Sequence, residues 1–216
     1  MKKILNTHTF TILTYKQSPH LEDCINSLLS QTVKSKIIIT TSTPSSFIEK
    51  ISYKYKIPLY INPNQNGIAS DWNFAYNTAK TKYITLAHQD DIYDKNYLQK
   101  CLRVTESDNA SKDYLITFTG YNELKGNKIV NYNLLQIIKK ILLLPFLLKN
   151  NLKTNFFKKI ILLFGSPIPC PSVMYNKENL KNNNFQFSDE FSINLDWNAW
   201  MDLSKIKGSF IYTDKN

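Results

Sequence analysis

The feature that most restricts the fold is a regular alternation of short apolar runs with amphipathic stretches in the first half of the chain. The run Ile37-Ile38-Ile39 is continuously apolar, which is typical of a strand covered on both faces of a sheet. The alternation predicts an α/β fold with a mostly parallel central sheet flanked by helices. Its strands are expected at 10–14, 36–40, 59–61 and 83–87.

The stretches between these runs place apolar residues at helical spacing, for example Leu21, Ile25 and Leu28. This spacing predicts helices at 19–31, 47–55, 70–80 and 95–107. Further strands are expected at 115–119 and 128–132, joined through Gly126-Asn127. Because ligands bind at the carboxyl ends of the strands in open α/β sheets, we expect the functional site at that edge.

Scarce residue types exclude several classes of protein. The five glycines are too scattered for a G-x-G-x-x-G or P-loop motif, so those nucleotide-binding loops are absent. The three histidines and three cysteines show no metal-ligand spacing, which argues against a structural zinc site. An odd number of scattered cysteines is typical of a reducing compartment, and we therefore expect a cytoplasmic protein.

The net charge of +10, from 27 Lys+Arg against 17 Asp+Glu, comes almost entirely from lysine. Arg103 is the single arginine, whereas nucleic-acid-binding proteins use arginine for bidentate phosphate and guanine contacts. We therefore expect no nucleic-acid partner. Residues 1–8 lack the continuous apolar run of a signal peptide. The run 141–148 is far shorter than the roughly 20 residues that cross a bilayer.

The composition changes at residue 134, and residues 134–164 are rich in Leu, Ile, Phe and Lys. One interpretation is a pair of helices that pack on the domain, with Lys139-Lys140 and Lys158-Lys159 in solvent. The other is a basic amphipathic element that lies on an anionic membrane surface, as in peripheral proteins of the inner membrane face.

Two adjacent carboxylates, Asp90 and Asp91, follow the predicted strand 83–87. Oxygen ligands suit Mg²⁺ or Mn²⁺, which leave coordination positions for water and substrate phosphates. The pair therefore predicts a divalent metal site at the edge of the sheet. The alternative is that these acids only cap the following helix.

Several segments around this pair resemble a known family. They are TFTILTYKQSPHLEDCINSLLSQT, then KIIITTSTP, then NQNGIASDWNFAYNTAKTKYITLAHQDDIY. Over residues 8–104 the chain resembles the nucleotide-sugar half of an inverting family 2 glycosyltransferase of the GT-A type. The resemblance implies a metal-assisted single displacement that moves a sugar from a nucleoside diphosphate sugar, most simply a UDP-sugar. The implied acceptor is a glycan or a lipid-linked acceptor.

The same resemblance implies roles for individual residues. Asp90 and Asp91 would hold Mn²⁺ or Mg²⁺. In the segment SINLDWNAW, Asp196 lies where the family carries its catalytic base; the alternative makes it the N-cap of a helix that runs to Lys205. Trp197 and Trp200 would pack in the core or stack on an acceptor sugar. The residues implied to bind the donor are Thr14, Tyr15, Lys16, Thr41, Asp71, Asn73 and Asp90.

The chain departs from the family pattern in four places. Residues 40–43 read Thr-Thr-Ser-Thr where the family has Asp-Asp-Gly-Ser, and Trp72 replaces an arginine. His88 takes the first position of Asp-x-Asp, which leaves the metal to the two acids that follow. The sequence ends at Asn216, where family members commonly continue into a segment with Arg and His that hold the diphosphate.

This last departure leaves two interpretations open. Lys16 or the pair Lys158-Lys159 would take over the diphosphate contact, or the chain is a shortened, catalytically impaired protein that binds nucleotide-sugar as a scaffold. We divide the chain into a nucleotide-sugar-binding half (1–133), a basic amphipathic helical insertion (134–164) and a shortened acceptor-side segment (165–216).

Overall fold

The computed structural model describes residues 7–106, 112–126, 128–130, 134–148, 150–190 and 194–213. Its strands are β1 His8–Thr14, β2 Lys36–Thr41, β3 Leu59–Ile61, β4 Tyr83–His88, β5 Tyr114–Phe118, β6 Glu123–Lys125, β7 Lys128–Val130, β8 Asn151–Leu152, β9 Val173–Asn176 and β10 Ser209–Tyr212. Its α-helices are α1 Leu21–Leu29, α2 Ser46–Tyr55, α3 Ile68–Thr78, α4 Tyr97–Thr105, α5 Leu134–Leu142, α6 Pro145–Leu148, α7 Asn155–Ile160, α8 Lys177–Leu180 and α9 Leu195–Lys205.

Eight strands form the central sheet in the order β3-β2-β1-β4-β9-β5-β10-β8. The first four are mutually parallel, and β5 and β10 form another parallel pair. Between them β9 runs antiparallel to both β4 and β5, and β8 is antiparallel to β10. The predicted α/β architecture with a mostly parallel sheet and flanking helices is confirmed, and all three predicted segments of the chain contribute strands to the sheet.

The predicted elements of the first half all form, with ends displaced by a few residues. The continuous apolar run 37–39 lies in β2, and Ile39 is fully buried. Helix α2 begins after Ser45, whose hydroxyl accepts a hydrogen bond from the Ile48 N–H, and ends at left-handed Lys56. These signals are local, which explains why they can be read from the sequence.

Two clusters of buried apolar side chains are present. One contains Phe10, Ile25 and Ile39 together with residues of α1 and α4, and the other contains Phe118, Tyr175 and Trp200. Burying one large apolar side chain contributes roughly 1.5–3 kcal/mol, so these clusters supply most of the stabilisation of the sheet.

The region after β5 differs from the prediction. Strands form at both expected places, but β7 pairs with the short strand β6 in a separate hairpin, and β5 pairs with β9 and β10 in the central sheet. Gly126, at φ 59°, therefore turns the chain from β6 into β7. Residues 107, 127, 131 and 132 of the predicted elements lie outside the described residues.

The region 134–164 contains the helices α5, α6 and α7 and the short strand β8, where two helices were expected. The prediction that Lys158 is solvated, or contacts phosphate, is wrong, because its side chain is fully buried. Its Nζ donates to the carbonyl oxygens of Leu203 in the last turn of α9 (3.5 Å) and of Ile206 (2.5 Å) and Gly208 (2.9 Å) just after it. Burial lowers the pKa of Lys158 to about 8. Among the described residues no helix is long and apolar enough to span a membrane.

Candidate functional site

The carboxyl ends of the parallel strands meet at one edge of the sheet. Thr14 of β1, Thr41 of β2, His88 of β4 and Phe118 of β5 end there. Antiparallel β9 begins at the same edge with Val173, which pairs with Phe118. The loops that follow or precede these residues therefore converge, as expected for an open α/β sheet.

The most polar group of side chains at this edge is His88, Asp90 and Asp91, which we name the acidic centre. One potential ligand atom from each lies within 4.8 Å of the others. Asp90 is exposed, and the side chains of His88 and Asp91 retain 26% and 45% of their accessible surface. The Nε2 atom of His88 is buried and has no hydrogen-bond partner among the described residues. The two acids were predicted from the sequence to bind the metal, but His88 was not.

The protonation states within the acidic centre favour metal binding. Burial, and then the charge of Asp90, raises the pKa of Asp91 to about 6, so this carboxyl group is mostly ionised at neutral pH. Burial lowers the pKa of His88 to about 4, against the opposing effect of Asp90. The imidazole is therefore neutral and carries a free lone pair, which a metal ion requires. One imidazole and two carboxylates form a donor set that fits Mn²⁺ better than Mg²⁺, which prefers oxygen alone.

The loop after β1 is tied to the acidic centre through Gln89. Its amide accepts from the Tyr15 N–H (3.2 Å) and donates to the Tyr15 carbonyl oxygen (3.0 Å). The Lys16 N–H donates to the Thr43 hydroxyl (2.7 Å), and the Lys16 backbone adopts φ 55°. Tyr15 is 54% exposed, and the Lys16 ammonium group lies 5.1 Å from its ring centre. Both side chains are accessible to a ligand.

The two threonines among the predicted donor residues are engaged in local structure. The buried Thr14 hydroxyl donates to the Thr40 carbonyl oxygen (3.0 Å). The Thr41 hydroxyl accepts from the Thr43 N–H (3.0 Å) and shapes the turn after β2. Their roles in donor binding stay predictions, and the structure shows them holding the loops that would line the pocket.

Asp71 lies on α3 and reaches the loops after β2 and β3. Its Oδ2 accepts from the Ser42 hydroxyl (2.7 Å), and its Oδ1 accepts from the Asn62 amide (2.9 Å). Asp71 therefore places a carboxylate at the end of β2, where the sequence contains only threonine and serine. The signal for this contact is absent from local sequence, because it depends on the packing of α3 against the sheet.

Asn73 forms two hydrogen bonds with the backbone of Phe187. Its amide donates to the Phe187 carbonyl oxygen and accepts from the Phe187 N–H, both at 2.8 Å. Trp72, one residue earlier, contacts the Phe187 ring edge-on at 5.0 Å and lies 5.2 Å from the His88 ring. The donor role of Asn73 stays a prediction, and its amide attaches the segment around Phe187 to α3.

Asp196 is the second residue of α9 and is half-buried. The N-cap is Asn194, so the alternative in which Asp196 caps the helix is wrong. Its Oδ1 accepts from the Trp197 N–H (2.7 Å). Burial raises the pKa of Asp196, while the N–H of Trp197, the charge of Lys139 and the N–H groups of Asp196 and Cys170 oppose this rise. The carboxylate thus lies at a helix N-terminus, which favours its ionised form.

Lys139 is a residue near Asp196 that the sequence analysis did not single out as part of the site. It extends from α5, donates to the Tyr121 hydroxyl (2.8 Å) and lies 4.9 Å from the centre of the Tyr121 ring. Tyr121 follows β5 at the functional edge of the sheet. A cation from the 134–164 region therefore lowers the pKa of the predicted base. This interaction cannot be predicted from the sequence, because the two residues are far apart in it.

Cys170 is a buried residue that interacts with both Asp196 and the acidic centre. Its backbone N–H hydrogen-bonds Asp196. Burial raises the pKa of the Cys170 thiol, the hydrogen bond with Tyr175 opposes this rise, and the charges of Asp196 and Asp91 add to it. Cys170 begins the short 3-10 helix that leads into β9. This segment brings the predicted base and the predicted metal ligands into one region, although they are far apart in sequence.

The two tryptophans of α9 anchor this helix. The Trp200 ring is fully buried and its Nε1 donates to the Ile168 carbonyl oxygen (2.9 Å). The Trp197 Nε1 donates to the Leu162 carbonyl oxygen (2.8 Å). Both rings pack against the core, as one of the two interpretations predicted. The burial of Trp200 excludes stacking of its ring on a sugar.

Comparisons with known proteins agree with the fold. The family model described as Glycosyl transferase family 2 matches residues 9–167 of the chain. No curated protein sequence matches the chain.

Solved structures share the fold at low sequence identity. The crystal structure of S. aureus TarS 1–349 in complex with UDP-GlcNAc has a TM-score of 0.69 and 16% identity, and the match covers 97% of this chain and 59% of that one. Mannosyltransferase PcManGT from Pyrobaculum calidifontis, in complex with GDP-Man and Mn²⁺, has a TM-score of 0.65 and 12% identity, with coverage of 96% and 55%. The chain therefore spans less than two thirds of the length of these relatives. At such identities the likeness shows a shared GT-A-type fold.

Proposed function

Because the chain belongs to glycosyl transferase family 2, we propose that it transfers a sugar from a nucleoside diphosphate sugar to an acceptor hydroxyl with inversion, by a single displacement. The observation that supports this most directly is that Asp196 and Asp91 of the acidic centre both interact with Cys170, which begins the segment leading into β9. Two solved relatives whose complexes contain UDP-GlcNAc and GDP-Man support a nucleotide-sugar as donor, and we propose a UDP-sugar.

On the donor side, Asp90, Asp91 and His88 would hold the divalent ion, with Mn²⁺ preferred over Mg²⁺. The complex of PcManGT with Mn²⁺ supports this choice. When bound, such an ion neutralises the negative charge that grows on the departing diphosphate. Exposed Tyr15 and Lys16 would contact the nucleotide beside the ion. Thr14, Thr41 and Asp71 would hold the loops of the donor pocket in place. Asn73 would contribute to donor binding by attaching Phe187 to α3.

On the acceptor side, Asp196 would act as the general base. It takes the proton from the acceptor hydroxyl as that oxygen forms a bond to the anomeric carbon and the bond to the diphosphate oxygen breaks. Burial makes the carboxylate more basic than an exposed one, while Lys139 and the backbone N–H groups at the start of α9 keep it ionised. The two opposing influences suit a group that must be charged before the reaction and bind a proton during it.

We also propose that the acceptor is a glycan or a lipid-linked molecule at the inner face of the membrane, with a cytoplasmic enzyme in peripheral contact. Helices α5 and α7 expose an unusual number of large apolar side chains, next to exposed Lys140 and Lys159. Apolar side chains beside lysines are the combination that binds an anionic lipid surface. Sedimentation with anionic vesicles tests this contact: Leu135→Asp should reduce binding, and equal binding to neutral vesicles would contradict it. The apolar residues are Leu134, Leu135, Ile137, Ile138, Ile141, Phe156, Phe157 and Ile160.

The decisive experiment follows release of nucleoside diphosphate from UDP-sugars in the presence of Mn²⁺. We expect Asp196→Asn to lower turnover by about 100-fold or more while UDP affinity stays close to that of the unchanged protein. Asp90→Ala should abolish the Mn²⁺ dependence of UDP binding. Asp23→Asn, which removes an exposed carboxylate from α1, is the control and should behave like the unchanged protein.

Two outcomes would contradict the proposal. If Asp90→Ala binds UDP equally well with and without Mn²⁺, and as tightly as the unchanged protein, the metal assignment is wrong. If donor binds but no acceptor or water promotes release, the chain is a nucleotide-sugar-binding protein that lacks transferase activity.

A further inference from the structure

A polar cleft of about 580 Å³ lies between α3 and α9. One wall is formed by residues 66–73, a second by residues 183–190, and the third by the end of α9. This volume lies within the range of small-molecule sites in proteins. We name it the α3–α9 cleft, and its lining residues are Asn66, Ala69, Ser70, Asn73, Asn183, Asn184, Phe185, Gln186, Phe187, Ser188, Asp189, Glu190, Asp202, Leu203 and Ile206.

The walls of the cleft are held in place by hydrogen bonds and ring contacts within the protein. Asn73 and the Phe187 backbone exchange two hydrogen bonds of 2.8 Å, which attach the 185–187 segment to α3. The rings of Phe185 and Phe187 pack against each other at 5.3 Å and against Tyr175 at 5.8 and 6.3 Å. A ligand would therefore meet a preformed surface and would order little of the protein on binding.

The lining combines an apolar floor with unused polar groups. Ala69, Phe187 and Leu203 are buried beneath it, and the ring of Phe185 is partly exposed. Around the rim, the side chains of Asn66, Gln186, Asp189 and Glu190 are exposed, and none of them forms a hydrogen bond or ion pair with another described residue. Amides and carboxylates above an aromatic ring match a sugar, which has hydroxyl groups at its edge and an apolar C–H face.

The charge of the cleft selects among sugars. Of its described lining residues, three are carboxylates and none is lysine, arginine or histidine, in a chain whose net charge is +10. Asp202 is paired with Lys205 Nζ at 2.7 Å, which leaves the exposed carboxylates of Asp189 and Glu190 to set the charge of the cleft. An adjoining cavity of about 430 Å³, which shares Asn184 and Phe185 with the cleft, contains four lysines and one glutamate. The two carboxylates disfavour phosphate groups in the cleft, whereas uncharged sugars carry no such cost.

We propose that the α3–α9 cleft is a carbohydrate subsite that binds uncharged sugar residues of the acceptor glycan and contains none of the proposed metal ligands. This role rests on the proposed function only in naming the glycan as the acceptor. The cleft connects to the acidic centre by ring contacts: Phe187 touches Trp72, and Trp72 lies 5.2 Å from the His88 ring. A glycan seated there would lie near the reaction site while leaving the metal-binding residues free.

The test is a titration of the whole chain, without donor or metal, with the neutral disaccharides chitobiose and maltose, followed by calorimetry and ligand-observed NMR. At least one disaccharide should bind, and glucose 6-phosphate should bind more weakly. Gln186→Ala and Asp189→Ala should each weaken binding by up to about tenfold, as expected for loss of one or two hydrogen bonds. Asn182→Ala, an exposed amide outside the cleft, should leave affinity unchanged.

The proposal is overturned if neither disaccharide binds, if both cleft variants bind as the unchanged protein does, or if glucose 6-phosphate binds as tightly as the neutral sugars. Asp90→Ala separates this result from the proposed function. Disaccharide binding that persists in Asp90→Ala supports an independent subsite, whereas its loss there would place the sugar at the acidic centre and contradict the proposal.

Discussion

Two histidines mark opposite ends of neighbouring strands, and only one of them is satisfied by its surroundings. His8 begins β1, and its ring nitrogens hydrogen-bond with the hydroxyls of Ser35 (2.7 Å) and Thr85 (3.1 Å). His88 ends β4, and its buried Nε2 has no partner among the described residues, while Asp91 lies 4.0 Å from Nδ1. Burial lowers the pKa of both rings, to about 3 for His8 and about 4 for His88.

The difference shows that neither burial nor a lowered pKa distinguishes a packed histidine from a ligand. What distinguishes them is the remaining hydrogen-bonding capacity and the neighbouring charges. Both ring nitrogens of His8 are used within the fold, whereas the His88 ring has no partner at Nε2 among the described residues and lies near the Asp91 carboxylate at Nδ1. We therefore assign His8 to stability and His88 to the acidic centre.

The largest effect is expected when the side chain of His88 is removed. In His88→Ala we expect Mn²⁺ affinity, and UDP binding that depends on Mn²⁺, to fall by about 100-fold or more, because the proposed metal site would lose one of its three ligands, and even residues that only orient a ligand contribute about 10–100-fold. The free energy of unfolding should fall by less than in His8→Ala, because the ring loses its contact with Trp72 but no hydrogen bond of Nε2. Calorimetric titration of Mn²⁺ and UDP measures this.

The matched control is His20→Ala, which removes an exposed histidine without a side-chain cap contact at the start of α1. It should bind Mn²⁺ and UDP normally. Unchanged Mn²⁺ affinity in His88→Ala would remove this residue from the acidic centre and leave the two acids alone there.

A smaller effect is expected at the other end of the strands. His8→Ala should reduce the free energy of unfolding at neutral pH by about 2–4 kcal/mol, because it leaves a cavity and removes the ring partner of the buried Thr85 hydroxyl and of the half-buried Ser35 hydroxyl. Urea unfolding measures this change. UDP binding in the folded variant should stay unchanged, and a loss of binding larger than the loss of folded protein would contradict the purely structural role.

The effect of His8→Ala on the free energy of unfolding should depend on pH. The folded-state pKa of His8, about 3, lies below the unfolded value of 6.5, so the unfolded chain binds a proton that the folded protein excludes between these values. Stability contributed by neutral His8 is therefore present above pH 6.5 and falls as pH decreases, by up to about 1.4 kcal/mol per unit. The stability difference between the unchanged protein and His8→Ala should shrink from about pH 6.5 to about 4.5. A constant difference would contradict the lowered pKa.

Much of the sheet and part of the site were predictable because their signals are local. Apolar runs, helical spacing and the position of Asp90-Asp91 after a strand depend on residues close in sequence. The positions of β9 and β10 could not be predicted in this way. In the sheet, β9 lies between β4 and β5, and β10 lies next to β5, although both come much later in the chain. Long-range pairing leaves no local pattern, and β8 is too short to show one.

The individual roles of the site residues divide in the same way. Asp196 was identified by resemblance, but its N-cap alternative was decided only by the backbone of Asn194. Lys158 looks like a surface lysine in sequence and is buried against three carbonyl oxygens. Lys139 looks equally ordinary in sequence, and its charge lowers the pKa of the predicted base. Which lysine packs and which meets a charge depends on the docking of α5 and α7, which composition does not encode.

The amino-acid sequence by itself determined the α/β class, the order of the early strands and the acidic pair, because periodicity and adjacency act over a few residues. Only the tertiary structure decided that His88 joins that pair, that Asp71 reaches the end of β2, and that residues 183–190 enclose a cleft. Each of these requires side chains from distant segments to occupy one small volume, and the free energy that brings them there comes from burying the core as a whole.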